Sequence, residues 1–143
     1  MKKTIKINLK KHFKTFENFI KDHFNIVIKI CLLINKTLKK KGKICLISIG
    51  GKAADYQYFA EEMIVKYEKK RKALPFISFT NDTSIMTACA NDFNFHDIFT
   101  RQLEALIKTH DILIAFFTSG KIKNIIKHIF CIHLICNLLD LNK

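Results

Sequence analysis

Tryptophan is absent from this chain of 143 residues, proline occurs once and glycine four times. No internal repeat and no low-complexity linker interrupts it, so a repeat array or a pair of domains on a flexible tether is excluded. The scarcity of Pro, Gly and Trp beside abundant Ile, Asn, Phe and Lys is also what a nucleotide-biased genome produces. No CxxC pair is present. Cys31, Cys45, Cys89, Cys131 and Cys136 stand apart, mostly inside apolar runs, and read as buried thiols of a reducing compartment instead of disulfides or a zinc finger. The N-terminal MKKTIKINLKKHFK has neither a continuous apolar stretch nor a small-residue cleavage site, so no signal peptide is expected and the cytoplasm is the default location. The apolar segment Ile122 to Leu141 carries Lys123, Lys127, His128 and His133, which favours a buried core helix over a membrane span.

The length suits one domain, residues 1–143, and 49% apolar residues suffice for a real core. The net charge is +13, and 13 lysines fall within the first 43 residues. This is read as a solvated Lys-rich face, with no nucleic acid as partner. The positive field would still steer a small anion inward.

From about Leu9 to Lys41 there is no Pro or Gly, and Phe13, Phe16, Ile20, Phe24, Val27, Ile28, Cys31 and Leu32 recur at three- and four-residue steps. The pattern predicts one or two amphipathic helices over residues 1–41, with a break near Asp22 to Asn25 and Gly42 as the cap. Lys43 to Ile49 reads as a buried strand, Gly50-Gly51 as a turn and Ala53 to Lys69 as a helix. Pro75 to Phe79 is a second strand, Asp82 to Asn91 a short helix, His96 to Ile107 a longer one, and Asp111 to Phe117 a third strand. A last helix covers about Lys121 to Leu139. Strands alternating with helices over residues 43–120 predict an α/β fold, a doubly wound parallel sheet flanked by helices.

Ligands of such sheets bind at the carboxyl ends of strands. Two loops there, Ser48-Ile49-Gly50-Gly51-Lys52 and Thr118-Ser119-Gly120-Lys121, each open a helix, where free N–H groups and the helix dipole favour an anion. Neither matches GxxxxGK(S/T) or GxGxxG, and each taken singly is equally an ordinary tight turn.

Together the residues say more. The run from Gly50 to Glu62 (GGKAADYQYFAEE), then Leu74-Pro75-Phe76-Ile77, Thr80-Asn81-Asp82-Thr83-Ser84, Ala90-Asn91-Asp92-Phe93, Arg101-Gln102-Leu103-Glu104-Ala105-Leu106, Asp111-Ile112-Leu113-Ile114 and Thr118-Ser119-Gly120 follow one another in order. This run, collinear from about Phe19 to Ile126, resembles the phosphoheptose isomerases of the SIS-domain family. Past Ile126 the chain departs from that pattern. His128 to Asp140 is similar to the family's last helix, as though roughly 50 residues of sheet between two helices were missing from a domain of the usual size. The sheet is therefore expected to be incomplete.

The resemblance implies a sedoheptulose 7-phosphate isomerase, an intramolecular oxidoreductase acting on a phosphorylated seven-carbon sugar for cell-envelope heptose, assembled as a homotetramer with sites shared between subunits. It implies Glu62 and His133 as proton-transfer residues, and Gly50, Gly51, Lys52, Asn91, Asp92, Thr118 and Ser119 as substrate contacts. It also implies a zinc ion held by His, Glu, Gln and His. Of those ligands only Glu62 and His133 are present. Tyr58 stands at the first His position and Ile125 at the Gln position, so the zinc site reads as incomplete and the chain as one without zinc. Lys52 is either a phosphate-binding cation or a surface lysine, Asp92 a substrate contact or a helix cap, Glu62 a base or a solvent-facing side chain, and His133 an acid or a core histidine. An isomerase of impaired activity, a catalytically silent sugar-phosphate-binding or regulatory protein, and a decayed product that scarcely folds remain as alternatives.

Overall fold

The computed structural model describes residues 1–116 and 125–141. Its first element, α1 (Lys2–Lys39), is a single helix of 38 residues. The break expected near Asp22 to Asn25 does not occur. No residue there removes a backbone donor or prefers positive φ, so the hydrogen-bond ladder runs on. The exit from α1 also differs from expectation. Lys41, not Gly42, adopts the left-handed conformation, with φ 61°, and the N–H groups of Lys41 and Gly42 donate to the carbonyls of Leu38 and Thr37. Gly42 is required for another reason. A Cβ there would lie 2.1 Å from the His110 carbonyl oxygen, so only glycine lets the two backbones approach.

After this turn come β1 (Ile44–Ser48), α2 (Gly51–Ile64), β2 (Phe76–Ser78), α3 (Thr83–Asp92), a 3-10 turn at Phe95–Asp97, α4 (Thr100–Leu106), β3 (Ile112–Phe116) and α5 (Ile125–Leu141). Helix α2 stops at Ile64, five residues short of the Lys69 predicted. Its last-turn carbonyls are taken up elsewhere: Arg71 donates to the carbonyls of Glu62 and Met63 at 2.9 and 2.8 Å, and the Leu74 N–H also reaches Met63. The single helix expected over His96 to Ile107 is divided. Asn94 accepts from the His96 N–H and caps the short 3-10 turn before α4 begins. Asp82 caps α3 by accepting from the Ile85 N–H at 2.9 Å. Asp92 sits at the opposite end of α3 and does not serve as an N-terminal cap.

The three described strands are parallel, in the order β2-β1-β3, with Ile44 opposite both Phe76 and Ile112. Side chains alternate across β1. Ile44 and Leu46 join a core with Val27, Cys31 and Ile34 of α1, Phe59 and Met63 of α2, and Ile135, Cys136 and Leu139 of α5. Cys45 and Ile47 face the other way, onto Phe79, Cys89, Ile98 and Phe99. Helices thus cover both faces of an open α/β sheet, as expected of a doubly wound layer. The chain adds β2 on one side of β1 and β3 on the other. That reversal creates a crevice at the carboxyl end of β1, the position where such sheets take ligands. Cys31, Cys45, Cys89 and Cys136 are buried thiols, as expected; the Cys131 side chain lies outside the described residues. Among the described residues no helix is long and apolar enough to cross a membrane.

Candidate functional site

The glycine turn lies at this crevice. Gly50 leaves β1 with φ 64° and ψ −141°, and Gly51 opens α2. That combination of angles is strained for any residue with a Cβ. A Cβ on either glycine would meet no atom within 4 Å, so open space lies above both. The helix dipole and the first N–H groups of α2 favour an anion here. Lys52 is not the surface lysine of one reading. It is buried, and its Nζ lies 2.9 Å from Asp55 Oδ2 one turn along. Its positive charge therefore arrives at the turn already paired. The β2 side of the crevice is held by a small polar network. Ser78 and Thr80 share a hydroxyl hydrogen bond of 2.8 Å, and Gln57 of α2 donates to the Thr80 carbonyl and hydroxyl at 3.2 Å. Sequence reasoning did not single out Ser78, Thr80 or Gln57 individually. Gln57 and Thr80 stood only as members of the runs that carry the family resemblance, and Ser78 only as part of the strand expected over Pro75 to Phe79.

Steps of four, three and four residues place Gly51, Asp55, Tyr58 and Glu62 on one stripe of α2. The stripe leads from the glycine turn to a second cluster at the far end of the helix. There Tyr58 Oη lies 2.8 Å from His133 Nε2, across the α2–α5 contact. The Tyr58 and His133 rings meet edge-on at 5.7 Å, and the Tyr67 ring stands 5.4 Å from His133. Burial first, then the Glu62 carboxylate one turn along α2, raise the Tyr58 pKa well above the usual phenol value. Cys136, one turn beyond His133, is pushed up to about 12 by burial and by the Glu62 charge. The structure thus brings Glu62 and His133 into one cluster, although 71 positions separate them, with Tyr58 as the link. Both are half-buried, so neither the solvent-facing reading of Glu62 nor the core reading of His133 holds in full.

The position of α5 is set by an ion pair. Arg71 Nε donates to Asp140 Oδ1 at 2.7 Å, both side chains being almost wholly buried. Asp140 also accepts from the N–H groups of Glu68 and Lys69. Burial works against its charge, but the bonds from Arg71, Lys69 and Glu68 prevail and hold its carboxyl below the usual carboxylate range.

The donor set at the Tyr58 cluster does not suit zinc. Glu62 and His133 supply two donors where a zinc site takes three or four, and a protonated phenol is not a ligand. Among the described residues no three His, Cys, Asp or Glu side chains converge closely enough to hold a metal ion.

Other expected contacts are not gathered here. Asn91 and Asp92 are exposed at the C-terminal end of α3, where the Asn91 amide donates to Asp92 at 2.8 Å. No hydrogen bond among the described residues joins them to the glycine turn. Thr118 and Ser119, the second loop, lie outside the described residues.

Comparison with known proteins agrees with this geometry. The SIS domain family matches residues 9–133. The phosphoheptose isomerase of Campylobacter concisus is 40% identical over 132 residues, covering 90% of this chain and 68% of that protein. That of Helicobacter pylori is 40% identical over 119 residues, 83% of this chain and 58% of the relative. Phosphoheptose isomerase 1 of Campylobacter jejuni is 46% identical over 101 residues, 71% and 54% of the two chains. The chain thus spans between about half and two thirds of these relatives' lengths. In fold it is similar to the phosphoheptose isomerase GmhA of Neisseria gonorrhoeae, with a TM-score of 0.84 over 98% of each chain at 23% identity. A phosphoheptose isomerase of Francisella tularensis superposes with a TM-score of 0.72 over 94% of this chain and 98% of the other, at 20% identity. On the extent of the family match and the identity to the Campylobacter concisus protein, this chain belongs to the phosphoheptose isomerases of the SIS-domain family.

Proposed function

We propose that this protein is a sedoheptulose 7-phosphate isomerase, converting that ketose to a heptose 7-phosphate destined for cell-envelope glycans. The observation that carries this reading is the hydrogen bond from Tyr58 to His133, one helical turn from Glu62, at one end of an α2 stripe whose other end is the glycine turn. The phosphate would lie at Gly50–Gly51, against the α2 N-terminus, with Lys52 near it. The sugar chain would extend along α2, so that its carbonyl end reaches Glu62. Asn91 and Asp92, with Thr118 and Ser119 of the second loop, would contact the sugar.

Interconversion of ketose and aldose passes through an enediol. The Glu62 carboxylate takes a proton from C1 while an acid protonates the C2 oxygen, giving the enediol. The same proton then returns to C2 as the C1 hydroxyl gives up its own, leaving an aldehyde at C1. His133, whose ring both gives and accepts a proton, handles the oxygens. Atoms balance without an external oxidant. The protein would act in the cytoplasm as a homo-oligomer, a tetramer on the family pattern, with neither nucleic acid nor membrane as partner.

The second reading is a catalytically silent sugar-phosphate-binding protein. It is favoured by one contact, the Tyr58 hydroxyl that occupies His133 Nε2. Incubating purified protein with sedoheptulose 7-phosphate separates the two. Turnover is expected, and Glu62→Gln lowers it by about 100- to 10,000-fold, the range of a lost general base. Saturable sugar-phosphate binding with no turnover by folded protein establishes the silent reading instead.

A further inference from the structure

We propose that Tyr58 takes the place of a metal in this chain: its hydroxyl caps His133 Nε2, the nitrogen a metal would need, and the position accepts no zinc. The proposal rests on the assignment of Glu62 and His133 to the reacting end of the site, but not on turnover.

The hydroxyl Oη of Tyr58 lies 2.8 Å from His133 Nε2. A phenol can donate or accept, and so can an imidazole nitrogen, so the bond forms with either tautomer. In both cases it takes up the one direction from which a metal could reach Nε2, and a metal would have to break it. The arrangement also uses Tyr58 mechanically. Its ring bears edge-on on His133 at 5.7 Å while Tyr67 bears on the same imidazole from 5.4 Å. The ring is thus held in orientation from two sides, the task that a bound metal would otherwise perform. Tyr58 is accordingly a positioning residue for His133.

The test is a metal count. Wild-type protein and the Tyr58→His, Tyr58→Phe and His133→Gln variants are stripped with chelator, exposed to excess zinc, desalted and measured by elemental mass spectrometry. Wild type and Tyr58→Phe are expected to retain no more zinc than His133→Gln, whereas Tyr58→His, which completes a His, Glu, His set, gains about one zinc per chain. Wild-type retention of one zinc that His133→Gln abolishes overturns the proposal, including a site that recruits Cys136. A folded Tyr58→His protein that gains no zinc overturns it equally. Should that variant fail to fold, the wild-type imidazole decides. Long-range proton–nitrogen spectra, with His133 identified by its loss in His133→Gln, are expected to shift in Tyr58→Phe and to stay unchanged when zinc is added to wild type, and wild-type His133 signals that move with zinc refute the proposal. Turnover of sedoheptulose 7-phosphate is measured separately. Its absence would sink the isomerase reading and leave the metal count standing.

Discussion

Asp140 is the residue on which the α2–α5 contact depends. It holds Arg71 at 2.7 Å in a nearly dry setting and takes the N–H groups of Glu68 and Lys69 as well. Replacing it with Ala leaves a buried guanidinium without its counter-charge, which costs about 3–5 kcal/mol. Urea unfolding of Asp140→Ala is expected to show that loss. The pH dependence has a definite sign. The folded carboxyl titrates below its unfolded value of about 3.9. Its contribution is therefore complete above that pH and disappears as pH falls through the folded pKa. Asp140→Asn should flatten the acid limb of the stability curve and leave the slope near neutrality unchanged. An unaltered acid limb would show that the pair contributes nothing. Because Arg71 also holds the carbonyls of Glu62 and Met63, the same substitution loosens the end of α2 that carries Glu62.

At the scale of elements, the turn from α1 into β1 is the sharpest prediction. Gly42→Ala drives a Cβ to 2.1 Å from the His110 carbonyl. Backbone is met there, not a flexible side chain, so the strands must shift at a cost of about 1–3 kcal/mol. A thermal midpoint equal to that of wild type would show that the two segments separate freely. The same turn shows what was legible in the sequence. The helices, the three strands and their order along the chain followed from apolar period and from the few glycines. Gly42 marked a boundary correctly, but its reason lay 68 residues away at His110, and spacing carries no trace of such an approach. The Tyr58–His133 contact behaves likewise. Tyr58 was noticed as a departure from a His position and His133 as one histidine on an apolar helix. That one sits on the other is a property of how α5 docks, which Arg71 and Asp140 determine. Lys52 was left open between a phosphate-binding cation and a surface lysine, because the burial of an α2 first turn depends on packing against the sheet. The N-terminal two thirds of α1 was read as amphipathic from its period, and the helix formed, but period alone does not supply a surface for the apolar stripe to cover.

That uncovered stripe is a question for the whole molecule. In α1 the buried side chains are Val27, Cys31, Ile34 and Thr37, all in the last third of the helix. Earlier, Phe13, Ile20 and Phe24 recur at steps of seven and four and are 66%, 45% and 43% exposed. Most helical stability in proteins comes from packing an apolar face, and an exposed apolar row of this kind marks an interaction surface. We propose that a second copy of this chain covers it, in line with the oligomer proposed above. Charge sets the condition. The first 43 residues carry 13 lysines, so two such helices side by side repel one another at low ionic strength, and screening weakens that repulsion as the Debye length falls from about 30 Å at 0.01 M salt to about 8 Å at 0.15 M. Light scattering coupled to size exclusion is therefore expected to give a larger mass at the higher salt. The Phe13→Lys, Phe24→Lys double variant should stay at the smaller mass in both, because it removes apolar area and adds like charge together. Wild-type mass that falls with salt, or that the double variant reproduces, would place the subunit contact on another surface.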